Sequence, residues 1–344
     1  MSIKNRCLFA TNVFIILTLI SPIFATDLPA TITIQNTSPR LDIQGNVIDA
    51  HDGCLEFFDG KFYLFGTRYG NTDGFTQANR YVCYSSQDLV KWQFHGEILQ
   101  NPPQGVYYRP YVKYNRKTKM YVLWYNWYPT LWDGQYGVAV SSSPAGPFVI
   151  QNDNVKVKHE KPGDHGLFID DNSNAYLIYT SIANDHGISI EKLSDDYLSS
   201  TLDSSGIFAK ECEAVSMFKN NGIYYAVFDK CCCFCPEGTG AMVYTAKSPL
   251  GPYKLQGNIN RDDSNQVIIA AQQTHIATIP ALNGPIYIWM ADRWGSRPDG
   301  IKGHDLQYWS GPLQFLSDGT IKKLNWQDSW TLELPANHDE NNRR

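Results

Sequence analysis

The 344-residue chain carries 29 basic and 34 acidic residues, a formal net charge of -5, and 13% aromatic side chains. A mildly acidic chain without clusters of lysine or arginine argues against nucleic acid as a partner, because phosphate binding needs a basic footprint.

In chain order, residues 1–25 come first. Lys4 and Arg6 precede the apolar run "CLFATNVFIILTLI", and "SPIFA" ends on the small residue Ala25. That order is a secretory signal, and its apolar run is short for a membrane span. The expectation is a secreted, extracellular protein with no membrane association in its mature form, acting as a monomer. Cleavage moves the charge to about -7 and leaves seven cysteines: Cys54, Cys83, Cys212, Cys231, Cys232, Cys233 and Cys235. An oxidising compartment favours disulfides, with one thiol left over. Asn36-Thr37-Ser38 is a glycosylation sequon, weakened by the proline that follows.

Helical periodicity is nearly absent beyond residue 25. Short tyrosine-rich strands separated by Asp/Asn-Gly turns recur instead. After "ATITIQNTSPRLDIQGN", a hairpin pattern appears five times: "LEFFDGKFYLFG", "VKYNRKTKMYVLW", "LFIDDNSNAYLIY", "SMFKNNGIYYAVF" and "ATIPALNGPIYIWM". Their central tyrosines, Tyr63, Tyr121, Tyr176, Tyr225 and Tyr287, lie 58, 55, 49 and 62 residues apart. A further strand follows each hairpin. Five units of roughly four strands predict an all-β fold, a five-bladed β-propeller over 26–335. The first segment is expected to close the ring against the last strand, hiding the edges of an open array. Residues 336–344 read as a polar C-terminal tail.

The first strand of a propeller blade lines the central channel, so the residues at its head converge on one mouth. Counting back 11, 12, 12, 12 and 15 residues from the five tyrosines gives Asp52, Arg109, Asp164, Glu213 and Gln272. One Asp before a strand is ordinarily a turn residue. Polar residues at five equivalent heads predict a shared pocket with three carboxyl groups, whose mutual repulsion and burial separate their pKa values. Cleaving a glycosidic bond needs such a pair: an acid to protonate the departing oxygen, and a carboxylate to activate water or attack the sugar. Aromatic surfaces for sugar C–H faces are at hand in "WYNWYPTLWDGQY", with Trp124, Trp127 and Trp132, and in "ADRWG", with Arg293 and Trp294. Trp124, inside an apolar strand, reads as core. Tyr108, Arg109, Trp127, Gln272, Arg293 and Trp294 are the expected substrate-binding residues.

Through "DHGLFIDDNSNAYLIY", "CEAVSMFKNNGIYY" and "YIWMADRWGS", supported by "SSSPAGPF" and "SPLGPY", the chain resembles glycoside hydrolase family 43 over nearly all of the mature sequence. The resemblance implies an inverting mechanism with Asp52 as base, Asp164 as the residue that tunes and orients the acid, and Glu213 as acid, the carboxyls of base and acid standing roughly 6.5 to 9.5 Å apart. "AHDG", "YRPYVKYN", "QQTHI" and "ADRW" resemble the exo-β-1,3-galactanase-like branch. That branch implies glycine where Asp52 stands, a catalytic glutamine matched by Gln272, and glutamate where Tyr108 stands. This chain is therefore a mixture. α-L-Arabinofuranosidase or β-xylosidase activity is the alternative, and a non-catalytic carbohydrate-binding propeller is a second. The resemblance also allows a central calcium held from blade five, near His275, but no cofactor is expected to be required. "DKCCCFCPEGTG" contains Cys232-x-x-Cys235; zinc ligation is conceivable there, disulfides are the expectation, and a bridge from this loop to Cys54 or Cys212 is a further reading.

Overall fold

The computed structural model describes residues 30–281 and 283–335; the expected signal segment and C-terminal tail lie outside them. Blade one is built of His51–Phe58, Lys61–Arg68, Arg80–Ser86 and Gln93–Glu97, antiparallel in sequence order. Blade two follows with Val106–Asn115, Met120–Tyr128, Gln135–Ser141 and Val149–Asn152, and blade three with Pro162–Ile169, Ala175–Ser181, Gly187–Leu193 and Ser200–Ser204. Cys212–Asn220, Ile223–Lys230, Met242–Ala246 and Lys254–Asn258 form blade four. Blade five has three strands rather than four: Gln272–Ile279, Ile286–Arg293 and Leu306–Pro312.

Local chemistry explains the hairpins. Asp59-Gly60 and Asn221-Gly222 turn with both residues at positive φ, 46° and 80° in the first and 48° and 73° in the second, the twist that two-residue hairpin loops require. The five inner strands pack on one another in cyclic order, and the last packs on the first. The core lies between blades. Leu123, Trp124 and Tyr125 of blade two, for example, pack with Phe65 and Cys83 of blade one and Leu167 and Leu177 of blade three. Trp124 is fully buried and donates Nε1–H to the Tyr197 carbonyl at 2.7 Å, which places it in the core as expected.

The ring closes through Ala30–Gln35, paired antiparallel with Ser329–Leu334 from Ala30↔Leu334 to Gln35↔Ser329. Ile32, Ile34, Trp330, Leu332 and Leu334 pack from this ribbon against Leu64 and Trp92 of blade one and Ile288 and Trp309 of blade five. Each such side chain is worth about 1.5–3 kcal/mol when buried. The asparagine of the sequon locks the closure. Asn36 is wholly buried, donates Nδ2–H to the carbonyls of Trp309 (3.0 Å) and Gln327 (3.1 Å), and accepts the Trp309 N–H at 3.0 Å. Asn36 is therefore expected to be unglycosylated on peptide mapping. Asn36→Ala, which strands the Trp309 N–H, is expected to cost about 2–4 kcal/mol, read as a lower urea midpoint at unchanged slope.

Candidate active site

All five inner strands carry a register irregularity at the channel mouth: between His51 and Cys54, Tyr108 and Tyr111, Pro162 and His165, Glu213 and Ser216, and Gln273 and His275. A β-bulge re-aims side chains and breaks the ladder, so each blade turns a polar residue from the strand face into the channel. Asp52, Arg109 and Ala214 sit there with φ of 50°, 54° and 57°, a conformation that non-glycine residues adopt only when surroundings impose it. Gly53 is needed beside Asp52, because a Cβ there would stand 1.9 Å from the Phe65 carbonyl oxygen.

Asp52, Arg109, Asp164, Glu213 and Gln272 line one cavity at the channel mouth. Hydrogen bonds link them through all five blades. Tyr69 Oη donates to Asp52 Oδ2 at 2.5 Å, and the Arg109 N–H donates to Asp52 Oδ1 at 3.2 Å. Arg109 Nε pairs with Asp164 Oδ1 at 2.9 Å, and Asp164 Oδ2 accepts the Ala214 N–H at 2.9 Å. Glu213 Oε1 accepts Gln272 Nε2–H at 2.7 Å and the Cys232 N–H at 3.0 Å, while Trp294 Nε1–H holds Gln272 Oε1 at 2.7 Å.

Burial is the main force on both outer carboxyls. It raises Asp52 to about 6 against the opposing pull of Arg109 and the Tyr69 hydroxyl. It raises Glu213 to about 7, helped by the charge of Asp164. Beneath Asp52, Asp292 accepts the Asp52 N–H at 2.7 Å and pairs with His51 Nδ1 at 2.9 Å. Burial disfavours the His51 cation, yet the carboxylates, Asp292 foremost, carry it up to about 9. Asp229, directly across the ladder from Glu213, is pushed well up by burial and by the neighbouring Glu213 carboxyl.

Tyr108 and Trp294 line the cavity, Tyr108 donating its hydroxyl to the Gly74 carbonyl at 3.0 Å. Trp127 and Arg293 do not. Trp127 is buried between blades, stacked on Tyr107 and donating Nε1–H to the Asp153 carbonyl at 2.6 Å. Arg293 donates to the Asn36 carbonyl at 3.2 Å and lies over Trp326, outside the cavity. Strand alternation accounts for both corrections: Tyr128 and Trp294 face the mouth, so their neighbours face away. The sequence reading missed Tyr69, Tyr128 and Thr180, which stand at or just beyond the ends of second strands. Counting forward four to seven residues from each central tyrosine finds Tyr69, Tyr128, Thr180, Asp229 and Trp294.

The cysteine run forms part of the roof. Phe234 packs edge-on against Tyr69, Phe75 and Trp294, with ring centroids 5.7, 4.9 and 4.9 Å apart, and Trp132 stands at the rim beside Phe75. Cys232 and Cys235 form a disulfide, so the C-x-x-C pair is not a thiolate zinc site. Among the described residues no bridge reaches Cys54 or Cys212; both are buried thiols, and Cys212 Sγ donates to the Lys210 carbonyl. Deeper in the channel, His275 Nε2 is 3.8 Å from Glu56 Oε1, which already accepts Lys113 Nζ at 2.6 Å. Calcium takes six to eight oxygen ligands. One carboxylate neutralised by an ammonium does not fit that ion, and the residues near His275 do not make a central calcium site.

The family model described as "Glycosyl hydrolases family 43" matches residues 59–278. No curated protein matches the sequence significantly. Among solved structures, the fold is similar to a family 43 β-1,3-galactosidase (TM-score 0.75, 27% identity, covering 88% of this chain). The chain spans 64% of the length of that protein. It is also similar to an exo-β-1,3-galactanase from Clostridium thermocellum (TM-score 0.76, 27% identity, 89% of this chain and 68% of that one). A glutamate-to-glutamine variant of the exo-β-1,3-galactanase from Phanerochaete chrysosporium, solved with β-1,3-galactotriose, gives a TM-score of 0.75 at 26% identity, covering 88% of this chain and 69% of that one.

Proposed function

This chain belongs to glycosyl hydrolase family 43, and we propose that it is a secreted, inverting exo-hydrolase of β-1,3-linked galactan, with Asp52 as general base and Glu213 as general acid. The observation that carries this reading is the meeting of those two carboxyls in one cavity, tied to opposite sides of the Arg109–Asp164 pair. Asp164 orients the Glu213 backbone turn through the Ala214 N–H, and its charge helps keep the acid protonated. Arg109 holds Asp164, and its buried Nη1 has no partner among the described residues, which leaves a donor for a sugar hydroxyl. Gln272 fixes the Glu213 carboxyl, and Trp294 fixes Gln272. Phe75, Trp132 and Phe234 present aromatic surface to the apolar face of a ring. A cavity walled by every blade and roofed by the cysteine loop suits a chain end entering along the channel axis, hence exo action. The galactan assignment rests on the activities named for the similar structures.

In this mechanism Glu213 gives its proton to the departing oxygen while Asp52 takes one from water on the opposite face of the sugar. Asp52 must be ionised and Glu213 protonated. Activity therefore falls below the Asp52 value of about 6 and above the Glu213 value of about 7, and kcat/KM is expected to trace a narrow bell between those limbs. The deciding assay sets purified protein on β-1,3-galactan, arabinan and xylan with the product anomer followed by NMR. Inverted galactose from galactan is the expected result; retention overturns the mechanism. Release of arabinose or xylose alone overturns the substrate, a reading favoured by Asp52 standing where the galactanase branch implies glycine. Binding without turnover overturns both.

A further inference from the structure

A second group of side chains meets at the rim of the cavity. His186 Nε2 lies 3.8 Å from Cys231 Sγ, and Cys233 Sγ lies 3.9 Å from Glu213 Oε2. The donor atoms of His186, Glu213 and Cys231 all fall within 4.8 Å of one another. Cys231 and Cys233 are exposed thiols flanking Cys232, which is held to Cys235. We infer that His186, Cys231 and Glu213, with Cys233 as a fourth donor, form a binding site for a thiophilic divalent cation of the zinc type.

The spacing supports it. Zinc bonds of about 2.0–2.1 Å to imidazole nitrogen and about 2.3 Å to thiolate set neighbouring corners of a tetrahedron about 3.3–3.8 Å apart. His186 and Cys231 already stand at that separation. A donor set of imidazole, thiolate and carboxylate suits zinc, whereas calcium and magnesium take oxygen. The backbones that carry the donors are stitched together: the Glu211 N–H donates to the Asp185 carbonyl (2.7 Å), the Cys212 N–H to that of His186 (3.0 Å), and the Cys231 N–H to that of Glu211 (3.0 Å). Asp185 and His186 are consecutive left-handed residues, at φ of 56° and 50°, a conformation costing about 1–3 kcal/mol each that persists where such contacts impose it. The Cys232–Cys235 bridge restrains the loop between the two thiols and removes two competing ligands. On binding, the thiol protons and any proton on the Glu213 carboxyl leave to solvent.

Binding does not depend on the reaction proposed above. One consequence does: the cation would occupy the carboxylate assigned as the acid, so zinc would suppress hydrolysis and a chelator would restore it. The test uses the full mature chain with the Cys232–Cys235 bridge verified by non-reducing peptide mapping, stripped by chelator, then titrated with zinc chloride in a calorimeter and with cobalt chloride in a spectrophotometer. One zinc per chain is expected, together with a thiolate-to-cobalt charge-transfer band that zinc displaces and slower alkylation of Cys231 when zinc is present. His186→Ala and Cys231→Ser are each expected to weaken binding at least tenfold, since loss of an outer partner alone costs about 10–100-fold. The parent protein keeps the test decisive if a variant misfolds. Absence of the charge-transfer band, alkylation indifferent to zinc, or parent-like binding in both variants overturns the inference. A flat titration in an active glycosidase sinks this site alone, and a normal titration in a protein inert on every glycan sinks the proposed function alone.

Discussion

Glu213→Gln is expected to slow release of sugar from oligosaccharides by about 10²–10⁴-fold and to abolish the alkaline limb of the pH profile. The carboxyl is nearly isosteric with the amide, so Gln272 and the Cys232 N–H retain a carbonyl oxygen to hold. What disappears is a proton whose affinity burial and Asp164 have raised to about 7. An aryl glycoside whose leaving group departs as a stable phenolate has little need of that proton, so its rate is expected to fall far less. Parallel kcat/KM measurements on both substrates check this. Near-parent rates on the oligosaccharide remove Glu213 as the acid.

Asp52→Asn is expected to cost about 10²–10⁴-fold on either substrate and to remove the acidic limb, because the amide cannot take a proton from water. Gln272 offers the sharpest contrast. Both ends of its amide are engaged, Nε2–H with Glu213 and Oε1 with Trp294, so it acts here as a positioning residue. Its N–H favours the ionised form of Glu213, and its removal raises the acid's pKa. Gln272→Ala is therefore expected to lower the rate modestly and to shift the alkaline limb to higher pH, a displacement that general loss of packing would not produce. Full activity in Asp52→Asn beside inactivity in Gln272→Ala would place the base function on blade five.

The two kinds of residue at the cavity differ in how plainly the chain announces them. Asp52, Arg109, Asp164, Glu213 and Gln272 stand at nearly constant distances before tyrosines that recur every 49 to 62 residues, and chain distance maps onto position along an inner strand. Tyr69, Tyr128 and Thr180 belong to the returning strands, where the same counting, run forward, reaches them. Trp127 and Arg293 show the limit of counting. A step of one residue in a strand reverses the face, and the aromatic or basic character that suggests a sugar site is shared by Tyr128 and Trp294 beside them. Phe234 and His186 carried no periodic signal, because each lies in a loop outside the repeated hairpin.

By itself the sequence determined the five-fold repeat, the all-β class and the polar head of each inner strand, since these follow from strand periodicity, turn chemistry and spacing along one chain. Only the tertiary structure decided which neighbour at a strand end faces the mouth, that Asn36 is a buried lock on the ring closure, that Lys113 takes the charge balance near His275, and that the cysteine loop folds over the carboxyls. Those outcomes depend on bulges, on packing between blades and on burial, and each brings together residues far apart in the chain whose juxtaposition no local pattern encodes.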